Sequence, residues 1–375
     1  MRLSVCMIVK NEESVLARCL SAVKRFADEL IIVDTGSTDG TKAITEQYTS
    51  LIYDDSWHDS FCDARNVSFE KASGDYLMWL DADDVIDEEM IDRILRLKEV
   101  SFENADVIYT IYRNDSETGL TTYKLRDRIF RRELRPAWKY DIHETVTIDD
   151  PRKILYREDI TILHKKEIAS DPGRNMRIFE RILREKRELD AWEKSHLCAE
   201  YAANRRYEEA CELYLSSRHE LSGARLSDAL HMTEPAFLAL GSYEELYALI
   251  EEAERRIPPF AKDKFMKGMC REFLGDLTEA RKLFKEATSI PDDPRTGAIM
   301  ETGYNDYYPL LHLAFVAYKM GNTKEALDSL DTAGKRYPHD LLWQVIKEKM
   351  LTETSPEDPC RGSRTSHSAS AQGHR

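Results

Sequence analysis

Short apolar runs alternate with amphipathic stretches over the first hundred residues. Apolar runs of strand length lie at residues 3–9, 30–33, 51–53 and 76–80. Stretches with helical spacing or a helix-start signal lie at residues 12–26, 41–48, 63–72 and 87–99, the last with Asp87 as N-cap. Strands that alternate with helices favour parallel pairing with right-handed crossovers, so we predict an open α/β sheet. Ligands of such sheets bind beyond the carboxyl ends of the strands.

A helical repeat replaces the strand signals from about Arg174 onward. Related segments lie at residues 204–210, 240–246, 274–280 and 320–326. The first three recur near the tetratricopeptide period of about 34 residues, and a loop inserted around residues 290–294 explains the longer last interval. In each unit Gly or Asn makes the turn and a small residue packs against the next helix. We predict an α/β domain at 1–170, tetratricopeptide-like helices at 171–354 and a disordered tail at 355–375.

Charge and composition narrow the class of protein. The formal charge of −15 argues against a nucleic-acid partner, which requires a basic face. The sequence has no apolar run long enough for a membrane span, and its N-terminus resembles a first strand rather than a signal peptide. The seven cysteines are scattered without a Cys-x-x-Cys pair. This usage indicates reduced thiols in a cytoplasmic protein.

Three carboxylates end the apolar run at residues 76–80: Asp81, Asp83 and Asp84. They form a solvated acidic loop or point into the crevice beyond the sheet. In the crevice they would repel one another without a hard cation between them, so we predict Mg²⁺ or Mn²⁺ and a diphosphate-bearing substrate. An EF-hand loop does not fit, because Ile86 stands at the position that requires glycine and Asp92 at the position that requires glutamate.

Four segments occur in order at suitable spacing: Ser4-Val-Cys-Met-Ile-Val-Lys-Asn-Glu12, Ile32-Val-Asp-Thr-Gly-Ser-Thr-Asp-Gly-Thr41, Asp63-Ala-Arg-Asn66 and Leu80-Asp-Ala-Asp83. Together they resemble family 2 glycosyltransferases of the GT-A fold over about residues 1–165. With the helical repeats behind, the chain resembles bacterial glycosyltransferase–tetratricopeptide fusions. These include the sublancin-type S-glycosyltransferases of bacteriocin peptides, and related fusions build surface glycans.

The resemblance implies a nucleotide-binding set. Its members are Ile8, Val9, Asn11, Glu12 and Asp34 around the nucleotide, Arg65 at the ribose or a phosphate, and Asp81. Asp34 suits a uracil ring or the ribose, which implies a UDP-sugar donor. Gly36 and Gly40 are both expected to adopt positive φ in the turn after the second strand. The alternative for Arg65 is an ordinary surface arginine.

The inverting reaction that the resemblance implies needs a base for the acceptor. Residues 138–144 offer Asp141, His143 and Glu144, and similar fusions have a His-Glu pair here. We predict Glu144 as the base, with Asp141 second and a core role as the alternative for His143. His164 is a candidate third metal ligand beside Asp81 and Asp83, or a phosphate contact.

A basic segment at 124–139 suits an anionic leaving group or forms a solvated face. Arg128 and Arg131 are its candidate pyrophosphate contacts. The predicted function is the transfer of a hexose from a UDP-sugar to a Cys or Ser/Thr side chain of a ribosomal peptide. Transfer to a surface glycan or lipid-linked acceptor is the alternative, and an inactive peptide-binding scaffold is the alternative of another class. The repeats are expected to bind the acceptor peptide or to form a homodimer.

Overall fold

The computed structural model describes residues 1–116, 121–165, 171, 173–185 and 188–354. The strands are β1 Leu3–Val9, β2 Glu29–Asp34, β3 Ile52–Asp54, β4 Tyr76–Trp79, β5 Asp84–Val85, β6 Val107–Asp115, β7 Thr121–Arg131, β8 Ala137–Lys139, β9 Thr145–Thr147, β10 Ile154–His164 and β11 Met300–Glu301. The helices of the first half are α1 Leu16–Val23, α2 Thr41–Thr45, α3 Phe61–Lys71 and α4 Glu88–Glu99. The predicted tail at 355–375 lies outside the described residues.

The main sheet has the strand order β3-β2-β1-β4-β7-β6-β10-β5. The parallel pairs of β1 with β2 and β4, and of β2 with β3, confirm the predicted α/β arrangement. However, β7 is antiparallel to both β4 and β6, so the sheet is mixed. The reason is chain length, because the connection between β6 and β7 is far shorter than the dozen or more residues that a parallel crossover needs.

The first helix is shorter than the periodicity predicts. It starts at Leu16 rather than Glu12, and turns precede it in which the Val15 and Leu16 N–H groups donate to the Glu12 carbonyl at 3.1 and 3.0 Å. The Asn11 N–H bonds to the Ser37 hydroxyl at 3.0 Å and the Glu12 N–H to the Thr41 hydroxyl at 2.7 Å. These two bonds tie residues 11 and 12 to the turn after β2 and take no bond from α1, because the first N–H groups of a helix have no partner within it. By contrast, α4 begins as predicted, with the Asp87 carboxylate accepting from the Met90 N–H at 2.9 Å.

The second half is built from consecutive helices in hairpins. They are α5 Arg174–Arg184, α6 Ala191–Ala203, α7 Tyr207–Ser217, α8 Ala224–Ala239, α9 Tyr243–Glu254, α10 Ala261–Phe273, α11 Leu277–Ala287, α12 Tyr308–Lys319, α13 Thr323–Arg336 and α14 Leu342–Thr354. Gly241, Gly275 and Gly321 turn their hairpins with positive φ, as expected. Ala280 and Ala326 are fully buried at the predicted helix contacts.

The two halves share structure across the predicted boundary at residue 170. The insertion between α11 and α12 carries β11, which pairs with β7 through Met300 and Tyr123. Ile142 of the first half packs in one apolar cluster with Phe179 of α5 and Leu197 of α6. The boundary therefore separates two architectures rather than two independent cores.

Two sequence expectations concern the environment of the chain. None of the helices in the described ranges is long and apolar enough to span a bilayer. Six cysteines fall within the described part of the chain, and all six are free thiols.

Candidate active site

The carboxyl ends of the parallel strands bring the predicted residues of the nucleotide side to one edge of the sheet. Val9 at the end of β1 is level with Asp34 at the end of β2, and Ile8 is level with Val33. Asp81 follows β4, which pairs with β1 on its other side. This edge is where an open α/β sheet binds its ligands.

Asp34 is held in place by backbone and offers one unused acceptor. Its Oδ1 accepts from the N–H groups of Gly36 and Ser37, at 2.9 and 2.7 Å. The residue is 3% exposed, and its Oδ2 has no hydrogen-bond partner among the described residues. A buried carboxylate oxygen without a donor costs free energy. Asp34 is therefore prepared to accept a hydrogen bond from a ligand.

The turn after β2 is shaped by one glycine rather than two. Gly36 has φ +101°, as predicted, whereas Gly40 has φ −73° and the prediction for it is wrong. A Cβ at Gly40 would lie 2.8 Å from Glu13 Oε2, the end of a flexible side chain that can move aside, so neither φ nor a lack of space calls for glycine there. Asn11 has φ +58°, and its Oδ1 accepts from the Thr38 N–H at 2.8 Å, so it braces this turn.

Glu12 lies close enough to the carboxylates after β4 for their charges to raise its pKa. Its burial, followed by the charges of Asp83 and Asp81, raises the pKa of Glu12 to about 7. Arg174, the first residue of α5, lowers it in part. Glu12 thus joins the predicted acidic residues, and the helical half supplies a cation close to them.

The acidic cluster is positioned by a short antiparallel strand pair, β5 with β10, that the sequence does not predict. β5 pairs with the end of β10, which places His164 opposite Asp84. The His164 Nδ1 lies 3.2 Å from Asp83 Oδ1 and 3.5 Å from Asp84 Oδ1. Burial lowers the pKa of His164, but the two carboxylates outweigh it and raise the pKa to about 10. Asp84 is wholly buried, which raises its pKa despite the nearby Arg128.

The ligand atoms of Asp81, Asp84 and His164 lie within 4.8 Å of one another and fit a divalent cation. Asp84 Oδ1 and His164 Nδ1 are buried without an aligned hydrogen bond among the described residues. The neighbouring carboxylates favour protonated His164, so a cation that binds here must displace the proton of the imidazole. One imidazole and two carboxylates suit Mn²⁺, and carboxylates alone suit Mg²⁺. The predicted set of Asp81, Asp83 and His164 changes in one member, because Asp84 joins the group and Asp83 contacts only His164 within it.

Arg65 joins the acidic cluster to the predicted base. Its Nη2 donates to Asp81 Oδ1 at 2.7 Å and its Nε to Glu144 Oε1 at 2.8 Å. Arg65 is 6% exposed, so it is not a surface arginine. Burial opposes the charge of Arg65, but Asp81 and Glu144 outweigh it and raise the Arg65 pKa. The same guanidinium, with Arg128, holds the pKa of Asp81 below its usual value against the effect of burial.

The other two base candidates are occupied by the helical half. Asp141 Oδ2 accepts from Arg181 Nη2 of α5 at 2.7 Å. His143 Nε2 lies 3.3 Å from Glu200 Oε1 of α6, and its ring stacks on His196 at 4.2 Å. Of the three candidates, Glu144 is the one that Arg65 connects to the strand-end cluster.

The two arginines predicted to contact pyrophosphate lie elsewhere. Arg128 is fully buried. Its guanidinium lies 3.6 Å from the centre of the Trp79 ring and its Nη1 lies 3.4 Å from Asp84 Oδ2, so its charge stabilises the Asp84 carboxylate from the protein interior. Arg131 is level with Tyr76 at the start of β4 and donates to Asp106. Because β7 runs antiparallel to β4, Arg131 lies at the opposite edge of the sheet, and its assignment to the pyrophosphate is wrong.

Sequence reasoning missed Asp84 as a ligand candidate and Arg181 and Glu200 as partners of the base loop. Asp84 stands in the carboxylate cluster, but only the pairing of β5 with β10 sets its side chain beside His164. Arg181 and Glu200 lie on helices forty or more positions away from the loop, and no local pattern marks them.

Comparison with known proteins gives one family match in the α/β half and another in the helical half. Residues 4–160 match the model of Glycosyl transferase family 2, and residues 310–340 match that of a tetratricopeptide repeat.

Three relatives illustrate the range of similarity. A TPR repeat-containing protein of Synechococcus elongatus is 35% identical over 159 residues, which cover 42% of this chain and 38% of that protein. The SPbeta prophage-derived glycosyltransferase SunS of Bacillus subtilis is 26% identical over 196 residues, 50% of this chain and 46% of SunS. The lipopolysaccharide core biosynthesis glycosyltransferase LpsC of Rhizobium meliloti is 31% identical over 107 residues, 27% of this chain and 38% of LpsC. The chain therefore spans less than half the length of each of these relatives.

Proposed function

Because residues 4–160 form a family 2 glycosyltransferase domain that is joined to tetratricopeptide repeats, we propose that the protein is an inverting, metal-dependent transferase of a hexose from a UDP-sugar. One observation carries the proposal. A buried, unused acceptor on Asp34 and the Asp81, Asp84 and His164 group lie at the same edge of the sheet. The first suits a uracil or ribose donor group, and the second suits the diphosphate.

The donor would lie along the strand ends. The ends of β1 and β2, where Ile8 and Val9 are level with Val33 and Asp34, would lie beneath the donor, and Asn11 and Glu12 would flank it beside the turn that Gly36 shapes. Asp81, Asp84 and His164, with Asp83 beside them, would hold Mn²⁺ or Mg²⁺, which when bound neutralises the diphosphate. Arg65 would contact a donor phosphate or the ribose from its position next to Asp81.

The chain's own residues account for the proton transfer. The acceptor atom forms a bond to the anomeric carbon while the bond from that carbon to the diphosphate oxygen breaks, and UDP leaves with the electron pair. The Glu144 carboxylate takes the proton of the acceptor. Attack from the face opposite the diphosphate inverts the anomeric carbon.

For the acceptor we favour a Cys or Ser/Thr side chain of a ribosomal peptide. The resemblance to sublancin-type fusions supports this choice, as does the helical repeat, which is suited to binding peptides. A cell-surface glycan is the second candidate, because the matched part of LpsC belongs to a lipopolysaccharide core enzyme. An inactive scaffold is disfavoured because Asp34, Asp81, Asp84 and Glu144 are all positioned at one site.

Two further expectations belong with this proposal. The free thiols of the six described cysteines support a cytoplasmic location. A homodimer through the helical half is supported by exposed apolar residues on and before the last helix, with Leu341 61%, Leu342 49% and Val345 60% exposed.

The direct test is release of UDP from a panel of UDP-sugars, with Mn²⁺ or EDTA, and with or without a small peptide that contains cysteine. We expect UDP release that requires the metal and that the acceptor peptide accelerates. Mass spectrometry of the peptide identifies the product. Absence of UDP release with every sugar, together with absence of UDP binding, would contradict the proposal.

A further inference from the structure

A second cluster of potential metal ligands lies inside the helical half, away from the strand ends. It consists of His231 and Glu234 on α8 and Asp263 in the first turn of α10. His231 and Glu234 are three positions apart and therefore neighbours on one helix face. One ligand atom from each of the three residues lies within 4.8 Å of the other two. All three are buried, with exposures of 8%, 1% and 3%.

Glu234 is the residue of this cluster whose carboxylate lacks hydrogen-bond partners within the described part of the chain. Neither of its carboxylate oxygens has a hydrogen-bond partner among the described residues, although Glu234 is only 1% exposed. An ionised carboxylate that is buried without partners is unfavourable, because it has lost its hydration and gained no donor or opposite charge in return. Both oxygens of Glu234 are therefore open to a cation at this position.

The neighbours of Glu234 supply part of what a bound cation needs. Asp263 Oδ2 accepts from the Phe260 N–H at 2.7 Å, which fixes the carboxylate, and Oδ1 lies 2.8 Å from His231 Nε2. Two ligands that each lie about 2.0–2.2 Å from a tetrahedral Zn²⁺ are about 3.4 Å apart, so His231 and Asp263 need to separate by only about half an ångström to hold the ion. The Lys262 ammonium lies 3.9 Å from Glu234 Oε2, beyond hydrogen-bond distance, and is paired with Glu301. Glu301 can retain Lys262 as its partner when another cation binds Glu234.

We propose that His231, Glu234 and Asp263 form a second metal site, which takes Zn²⁺ and cross-links α8 to α10. One imidazole and two carboxylates are ligands that Zn²⁺ accepts, and water can complete a four-coordinate shell. The site is independent of the proposed transferase chemistry, since none of its residues belongs to the strand-end site. Its role is structural, because α8 and α10 belong to successive repeats.

The test uses the full chain, stripped with EDTA, loaded with Zn²⁺ and desalted before metal analysis and thermal unfolding. The variant Asp84→Asn weakens the strand-end site and leaves the inner site intact. We expect it to retain about one Zn²⁺ per chain and to unfold at a higher temperature with Zn²⁺ than without. Adding His231→Gln to this variant should remove both effects. His312→Gln is the matched control, because His312 Nδ1 also lies 2.8 Å from a carboxylate, Glu272, but belongs to no three-residue group among the described residues.

The outcomes separate cleanly. If Asp84→Asn retains no Zn²⁺ and its unfolding temperature ignores Zn²⁺, the cluster is a His–Asp hydrogen bond beside a lysine and the proposal is overturned. All further variants are compared in the Asp84→Asn background. The proposal is also overturned if the added His231→Gln retains as much Zn²⁺ as the added His312→Gln control. Glu234→Gln takes the place of His231→Gln if that variant does not fold.

Discussion

The nucleotide side of the site and the loop that carries Glu144 are held in different ways. Asp34, Asp81, Asp84 and His164 are fixed by the register of strands within the first half. The loop at residues 140–144 is held by both halves: Arg65 and Arg126 of the first half bond Glu144, and the helical half contacts the residues before it. Arg181 bonds Asp141, Glu200 approaches His143, and the Trp192 Nε1 donates to the His143 carbonyl at 3.0 Å.

The difference has a functional consequence. Tyr140 and His143 have positive φ, at 77° and 53°, which non-glycine residues adopt only when their surroundings hold them. Donor binding should therefore depend mainly on the first half, whereas placement of the base depends on both halves. The expectation that the repeats handle only the acceptor or a partner is too narrow, although their role in acceptor binding stays a prediction.

The largest expected effect comes from Glu144→Gln. This change keeps the shape of the side chain but removes its capacity to take a proton, so turnover should fall by about 10²- to 10⁴-fold. The affinity for the UDP-sugar, measured by calorimetry, should stay near that of the wild type. Asp141→Asn is the matched variant and should cost much less. A larger loss in Asp141→Asn would move the role of base to Asp141.

Metal affinity should distinguish the two neighbouring carboxylates. Asp84→Asn removes a ligand candidate and should weaken Mn²⁺ binding by about 10²-fold or more, since even partners outside the metal's own ligands are worth about 10- to 100-fold. Asp83→Asn removes a contact of His164 and should weaken Mn²⁺ binding less. Titration of Mn²⁺ in the presence of UDP measures both. The reverse order would restore the original set of Asp81, Asp83 and His164.

Arg181→Met tests most specifically whether the helical half positions the loop that carries Glu144. Loss of the bond to Asp141 frees the base loop, and a misplaced catalytic group costs up to about 10²-fold in rate. We expect kcat to fall while the UDP affinity stays unchanged. Arg177→Met, on the same helix but paired with Asp171, is the control. Equal loss of UDP affinity and kcat would show that the halves do not divide the work in this way.

A truncated chain is a less sharp test than these substitutions. Ending near residue 166 would remove β11 and uncover Ile142. We expect such a chain, if it folds, to bind UDP with Mn²⁺ and to lose transfer to the peptide.

The smallest expected effect concerns Lys124 of β7, near the junction with α8. Burial, followed by Arg126, lowers the pKa of Lys124 to about 8, whereas an unfolded lysine titrates near 10.4. Below pH 8 the buried charge destabilises the folded state in full. Between these values the unfolded chain binds more protons, so the penalty disappears as the pH rises. Lys124→Met should therefore raise the unfolding temperature at pH 7 and progressively less toward pH 10. Lys335→Met, an exposed lysine of α13, should show no such trend.

Local patterns predicted what lies within one element or one strand end. The β4 strand and its carboxylates, the Asp87 cap and the glycine turns of the repeats follow from neighbouring residues. Pairings between distant segments did not follow, since no periodicity reports that β7 reverses direction or that β5 meets β10. Arg131 was misplaced for the first reason, and Asp84 was left out of the metal group for the second. Arg65 can be selected from its motif, but its link between Asp81 and Glu144 is a tertiary contact that the sequence does not predict.

The central claim is that the strand ends form a metal-dependent site for a UDP-sugar. The most direct measurement is calorimetric titration of the full chain with UDP, once with Mn²⁺ and once with EDTA. The account expects saturable binding with Mn²⁺ and binding that is weaker by at least about tenfold with EDTA, since the metal neutralises the diphosphate. Equal UDP affinity in both conditions, or no binding in either, would contradict it.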